Sequence, residues 1–238
     1  MIRKSLFTLT FGVILTFFIV PINVSAQAME SVEPFKVGTF AINDIPTVGL
    51  VVRNDELIID LAAANRVMEL IPRYSKLSMP ENMLRLIEQY DYGLKYRIYE
   101  VINWLVKENL LSSSNQPSYV HPVSSVDIMA PIQYPSKIMN AAVNFYTHAC
   151  EGCSDEQLAA RTLERRENRG VPYLFLKPTR GVVIGDGDDI IMPYGRDQIE
   201  WEVEMAIVFG RTGKYISSSR AYDHVFGYMV AMDISDRG

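Results

Sequence analysis

Short apolar runs alternate with turn residues through the first part of the chain. Runs at residues 35–40, 47–52 and 57–61 are separated by Asn43-Asp44 and Asn54-Asp55, which predicts a meander of three strands. Residues 62–70 and 81–90, the second behind Pro80, have helical spacing and composition. A third helix is expected over 95–110, where Ile98, Val101, Ile102, Leu105 and Val106 recur at helical intervals. These elements make a small α+β module. The stretch 112–125, rich in Ser, Asn, Gln and Pro, is the best candidate for a boundary after it.

Beyond that boundary the apolar residues of 126–134 are punctuated by Pro131 and Pro135, and 137–146 reads as a strand. Ser154 with Gln157 three residues on forms a capping box for a helix to about Asn168, stopped by Gly170 and Pro172. Strands are expected over 173–177, 181–184, 189–192, 199–210 and 226–234, with a short helix at 217–224. The last strand runs almost to Gly238, an ending expected of a fragment, since a domain rarely leaves such an edge unpaired.

The amino-terminal stretch is read separately. Arg3 and Lys4 precede a mostly apolar run over 6–20, Pro21 breaks it, and Val24-Ser25-Ala26 offers slim residues for cleavage. Residues 1–26 are therefore expected to be a secretory signal peptide, and the protein to be exported, periplasmic or secreted. An uncleaved membrane anchor is the alternative, although the run falls short of the roughly 20 residues a spanning helix needs. The domain organisation expected is thus 1–26 signal peptide, 30–125 small module, and 126–238 a partial catalytic domain.

Charge narrows the function classes. Lys+Arg number 23 against 28 Asp+Glu, and the densest basic stretch, 161–169, is interspersed with Glu164 and Glu167. No nucleic-acid partner is expected. The two cysteines, Cys150 and Cys153, form a C-x-x-C pair. Two thiols alone do not make a zinc site, and haem attachment would need a His where Ser154 stands. A local disulfide or two ordinary thiols is the preferred reading over redox catalysis, because no thioredoxin-like strand and helix frame the pair.

Three places carry candidate chemistry. In a strand over 199–210, Glu200, Glu202 and Glu204 share one face and Trp201, Val203 and Met205 the other. A wet acidic face would explain this, but Ala206 to Phe209 are apolar on both faces, which predicts a central strand covered on both sides. Carboxylates crowded there need protons, basic partners or a cation, and an all-oxygen set favours Mg²⁺, Mn²⁺ or Ca²⁺ over zinc. His148 and Glu151, three apart, would share a face of a helical turn, letting a carboxylate orient an imidazole that takes a proton from water. A surface His beside an acid is the plainer reading. Asp233 ends an apolar strand four residues before Arg237, a place where turn or cap residues are common. Gly185-Asp186-Gly187-Asp188-Asp189 reads as a hairpin turn rather than a calcium loop, since the distal Glu is missing.

In order along the chain, His148-x-x-Glu151, Leu174-Phe175-Leu176-Lys177-Pro178, Glu202-Val203-Glu204, Gly227-Tyr228 and Asp233-x-Ser235-x-Arg237 resemble the fumarylacetoacetate hydrolase family. The resemblance implies a fold of α+β class, with a mostly β catalytic domain of rolled mixed sheets behind a small α+β module. It implies Glu202, Glu204 and Asp233 as ligands of Mg²⁺ or a similar cation, Mn²⁺ or Ca²⁺ included. It implies His148 and Glu151 as a water-activating dyad on a segment that closes over substrate, and places Lys177 and Arg237 at substrate-binding or structural positions. The expected enzyme is a metal-dependent hydrolase that cleaves a carbon–carbon bond in a small 1,3-dicarbonyl, acylpyruvate-like acid. The alternatives are a decarboxylase, hydratase or isomerase of a small oxo-acid, and a non-catalytic exported relative that binds a cation and a dicarboxylate. A homodimer is expected for the full-length protein. The chain departs from the family in its Cys pair inside the dyad segment and in Asp236-Arg237-Gly238, where Ala-Arg-Asp or Ala-Arg-Glu is more usual.

Overall fold

The computed structural model describes residues 29–168 and 170–238, so the expected signal peptide at 1–26 lies outside the described residues. Strands β1 (Lys36–Ile42), β2 (Ile45–Val52) and β3 (Leu57–Asp60) form the expected meander. Asn43 and Asp44 close the first hairpin at φ 52° and 62°, the two left-handed positions that a tight two-residue turn requires and that Asn and Asp tolerate. Asp60 ends β3 and caps α1 (Leu61–Met68), its carboxylate accepting from Ala63 N at 2.8 Å. Asn82 caps α2 (Met83–Gln89) in the same way, accepting from Arg85 N at 3.0 Å. A π-helical turn, Tyr90–Leu94, then leads into α3 (Lys95–Lys107). Gly93 sits in that turn at φ 114°, which bends α2 away from α3 at a backbone conformation closed to most side chains.

The helices cover one face of the meander. Leu50, Ile59, Leu61, Met68, Leu86, Ile98, Val101, Ile102 and Leu105 meet there, fully buried or nearly so. Each such side chain removed from water contributes roughly 1.5–3 kcal/mol. Arg97 is buried at the edge of this core, donating to Asn65 Oδ1 and Ser75 O and pairing with Glu100 at 3.1 Å. Two further strands complete a five-stranded antiparallel sheet in the order β4-β3-β2-β1-β5. One is β4 (Val120–Pro122), which lies in the polar stretch 112–125 and has too few apolar residues to announce itself. The other, β5 (Asp127–Ile128), pairs with β1, and Thr39 fastens the chain beyond it by donating to Pro131 O at 2.8 Å.

The rest of the chain is built from two ribbons. In the first, β6 (Ile138–Ala141) pairs antiparallel with β7 (Leu174–Lys177). Between these strands stand the 3-10 turn His148–Cys150 and α4 (Asp155–Glu167), with both bonds of the Ser154–Gln157 capping box formed. The second ribbon joins β8 (Ile199–Phe209) to β9 (Val225–Asp236), with a 3-10 segment, Ser218–His224, between them. Val208 and Phe226 pack against the first core, Phe226 lies edge-on to Tyr90, and Arg211 pairs with Asp91 at 2.8 Å.

Several expectations are corrected. Residues 181–184 and 189–192 are not strands, because no neighbouring segment among the described residues completes a ladder with them. Asp186 and Gly187 do turn the chain, with Gly185 N donating to Asp188 Oδ2 at 2.6 Å, but the turn joins irregular segments instead of a hairpin. Strand formation along 137–146 stops at Ala141, where the chain turns toward the His148 segment. Finally, among the described residues β8 has one strand partner, and its Trp201, Val203, Met205, Ile207 and Phe209 face is exposed, so these residues do not supply the cover expected on both sides.

Candidate metal centre and active site

Period-two alternation puts Glu202 and Glu204 on the same face of β8, and the register sets Asp233 of β9 directly opposite Glu202. One carboxylate oxygen of each lies within 4.8 Å of the others. Asp233 is the most enclosed of the three, its side chain only 5% exposed. Both of its oxygens are engaged: Asn140 Nδ2 donates to Oδ2 at 2.6 Å and the Lys177 ammonium pairs with Oδ1. Lys177 also donates to Ile234 O at 2.9 Å. Arg237 folds back on the same strand pair, reaching Glu200 at 2.7 Å and Glu202 at 2.9 Å. Glu204 makes no hydrogen bond or ion pair among the described residues, and its carboxyl is pushed above the usual range by burial and then by the charges of Asp233 and Glu202, with Lys177 pulling the other way.

The charges do not balance. Four carboxylates, Glu200, Glu202, Glu204 and Asp233, meet two cations, Lys177 and Arg237, and leave two negative charges uncompensated. Oxygen-only donors with that excess suit a hard divalent ion such as Mg²⁺, Mn²⁺ or Ca²⁺. The donor set therefore fits a cation held by Glu202, Glu204 and Asp233.

The second candidate pair lies on the 3-10 turn after β6. His148 Nδ1 and Glu151 Oε1 are 2.6 Å apart, with the two side chains 44% and 73% exposed. An ionised Glu151 only accepts, so the imidazole donates from Nδ1 and keeps the lone pair on Nε2, the nitrogen free to take a proton. Cys150 and Cys153 are joined as a disulfide around Glu151, and backbone bonds from Cys150 N to Thr147 O and from Cys153 N to Cys150 O wind the turn. Arg165 of α4 holds the preceding loop by donating to Val143 O at 3.0 Å. No hydrogen bond or ion pair among the described residues joins this dyad to the carboxylate triad.

The structure thus brings Glu202, Glu204, Asp233, Lys177 and Arg237 into one charged cluster and sets His148 with Glu151 in another. Lys177 and Arg237 are both engaged by carboxylates in this arrangement. The only mark of Asn140 in the sequence is that it is a lone amide inside the apolar run Ile138 to Ala142.

Comparison with known proteins places these features. Residues 137–238 match the family described as fumarylacetoacetate (FAA) hydrolase, C-terminal. The chain is 30% identical over 193 residues to an oxaloacetate tautomerase of Bacillus subtilis, an alignment covering 80% of this chain and 56% of that protein. It is 32% identical over 120 residues to a mitochondrial oxaloacetate tautomerase of Bos taurus, covering 50% of this chain and 33% of the relative. The chain therefore spans between a third and a little over half of these relatives. A crystal structure of maleylpyruvate hydrolase from Sphingobium shares the fold at TM-score 0.55 and 23% identity, over 85% of this chain and 59% of that one. The same enzyme in complex with manganese(II) ion and pyruvate aligns at TM-score 0.51 and 24% identity, with the same coverage of both chains. Sequence match and fold agree, and over residues 137–238 the chain belongs to the fumarylacetoacetate hydrolase family.

Proposed function

We propose that this chain carries the cation site and proton-transfer dyad of an enzyme acting on small oxo-acids, and that its reaction is the keto–enol tautomerisation of an oxaloacetate-like acid. The observation that carries the reading is the oxygen-only triad Glu202, Glu204 and Asp233, in a cluster that together with Glu200 keeps two uncompensated negative charges. A divalent cation held there supplies Lewis-acid polarisation of a carbonyl oxygen. His148 Nε2 takes a proton from the carbon next to that carbonyl and passes it to the carbonyl oxygen, which completes the enol and restores the neutral imidazole, while Glu151 keeps the proton on Nδ1 and stabilises the intervening imidazolium. Lys177 stands beside the triad, where its ammonium is placed to meet a substrate carboxylate once it leaves Asp233. The names of the relatives at 30% and 32% identity support tautomerisation over the other reactions.

Hydrolysis of a carbon–carbon bond in an acylpyruvate is the second reading, favoured by the exposure of His148, which gives its free nitrogen access to water. The test follows the enol absorbance of oxaloacetate in the ultraviolet, with the full chain and Mn²⁺. Acceleration beyond Mn²⁺ alone, lost in His148→Asn with Mn²⁺ affinity retained, is the expected result. No acceleration by a chain that binds Mn²⁺ rejects tautomerisation, and consumption of an acylpyruvate in its place selects the hydrolase.

A further inference from the structure

Asp233 is held by two groups of different kinds. A carboxylate this enclosed needs a partner for each oxygen, because an unpaired one forfeits its solvation. Lys177 supplies a charge at Oδ1, and Asn140 supplies a neutral amide at Oδ2. The register explains how both arrive. Asn140 lies opposite Phe175 on β6 and Ile138 lies opposite Lys177, so Asn140 and Lys177 leave their ribbon on one face, toward β9. Met139 and Leu176 leave it on the other face, where both are exposed.

The two partners respond differently to a cation. An ammonium at Oδ1 and a divalent ion at Asp233 repel, so the ion displaces Lys177. The Asn140 amide carries no net charge, loses nothing when the ion arrives, and stays on Oδ2. Resting on the cation site proposed above, we infer that Asn140 is a positioning residue: its amide fixes the Asp233 carboxylate so that Oδ1 is the oxygen exchanged between Lys177 and the cation. Outer hydrogen bonds to metal ligands typically change affinity by about 10- to 100-fold when removed.

The test is Mn²⁺ titration of the full chain, read from the electron paramagnetic resonance of free Mn²⁺, beside the melting temperature of the metal-free protein. Asn140→Leu keeps the bulk and removes the donor, and Asn140→Ser is read in the same way should the leucine variant not fold. Met139→Ser, on the outward face of the same strand, is the control. The expected result is Mn²⁺ affinity lower by about 10- to 100-fold in the Asn140 variants, with metal-free melting lowered because Oδ2 loses its partner, and Met139→Ser like wild type. Affinity within twofold of wild type overturns the inference. So does a fall in metal-free melting without a change in affinity, or loss of the fold in both variants, since Asn140 would then be structural. A wild-type chain that binds no Mn²⁺ overturns the cation site itself and the inference with it, which separates that failure from a failure of Asn140 alone.

Discussion

The two parts of the molecule put opposite chemistry inside. Between β1 and α3 the enclosed side chains are mostly apolar and include Leu50, Ile58, Leu86, Ile98 and Leu105, none with measurable exposure. From residue 135 onward the described side chains that are buried are Cys150 and Asp233, a disulfide sulfur and a carboxylate. The ribbons turn their carboxylates, Asn140 and Lys177 toward one another and leave Trp201, Met205, Val230 and Met232 more than half exposed. The first region is held by apolar burial, whose strength follows area and needs no direction. The second is organised by directional polar contacts, which locate functional groups and add little net stability.

The largest effect that could break this contrast is a cavity. Leu105→Ala, at a site with no exposure, is expected to cost ~2–5 kcal/mol in urea unfolding. Val230→Ala, at 72% exposure, is expected to change stability by less than ~0.5 kcal/mol. Equal costs would mean that the β8–β9 face is covered in solution. Next in size is the cation. Mn²⁺ at about a hundred times its dissociation constant should add about 2.7 kcal/mol to the second region, and Glu204→Gln should abolish the accompanying rise in melting temperature. An unchanged rise would place the ion elsewhere.

The smallest and most discriminating effect is the response to pH. Glu69 accepts from Leu77 N at 2.5 Å, and that backbone bond holds its carboxyl below the usual range. Its contribution is complete above the ordinary carboxylate pKa and is lost as pH falls through the lowered value. Glu204 is raised instead, so its contribution is complete below the ordinary pKa and is lost as pH rises through the raised value. Acid should therefore weaken the first region at Glu69 while relieving the second at Glu204. Melting of the metal-free protein across the carboxylate range should show Glu69→Gln flattening the acid side and Glu204→Gln flattening the side toward neutrality. The same slope change in both variants would refute the opposition.

What could be read from the sequence was local. The Asn43-Asp44 turn, the Ser154–Gln157 capping box and the shared face of Glu202 and Glu204 each follow from residues a few positions apart. The family resemblance joined Asp233 to that face, and the β8–β9 register supplies the physical link. What could not be read depends on a distant partner. Residues 181–184 have strand composition but find no ladder to join among the described residues, whereas Val120 becomes a strand because Ile59 is there to pair with it. Nothing within a few residues of Asn140 marks its role, which depends on Asp233, 93 positions away.

The pairing of Glu202 with Asp233 also has a meaning in chain entropy. The two carboxylates belong to strands joined by a long excursion through the Ser218–His224 segment, so an ion bound to both closes a loop between positions 202 and 233. By the loop-closure entropy that accounts for covalent cross-links, tying off about thirty residues of disordered chain is worth on the order of 3–4 kcal/mol, an upper bound for a bond that can dissociate. The triad is then also a reversible clasp, and the ion's concentration sets how often the two strands of this ribbon can part.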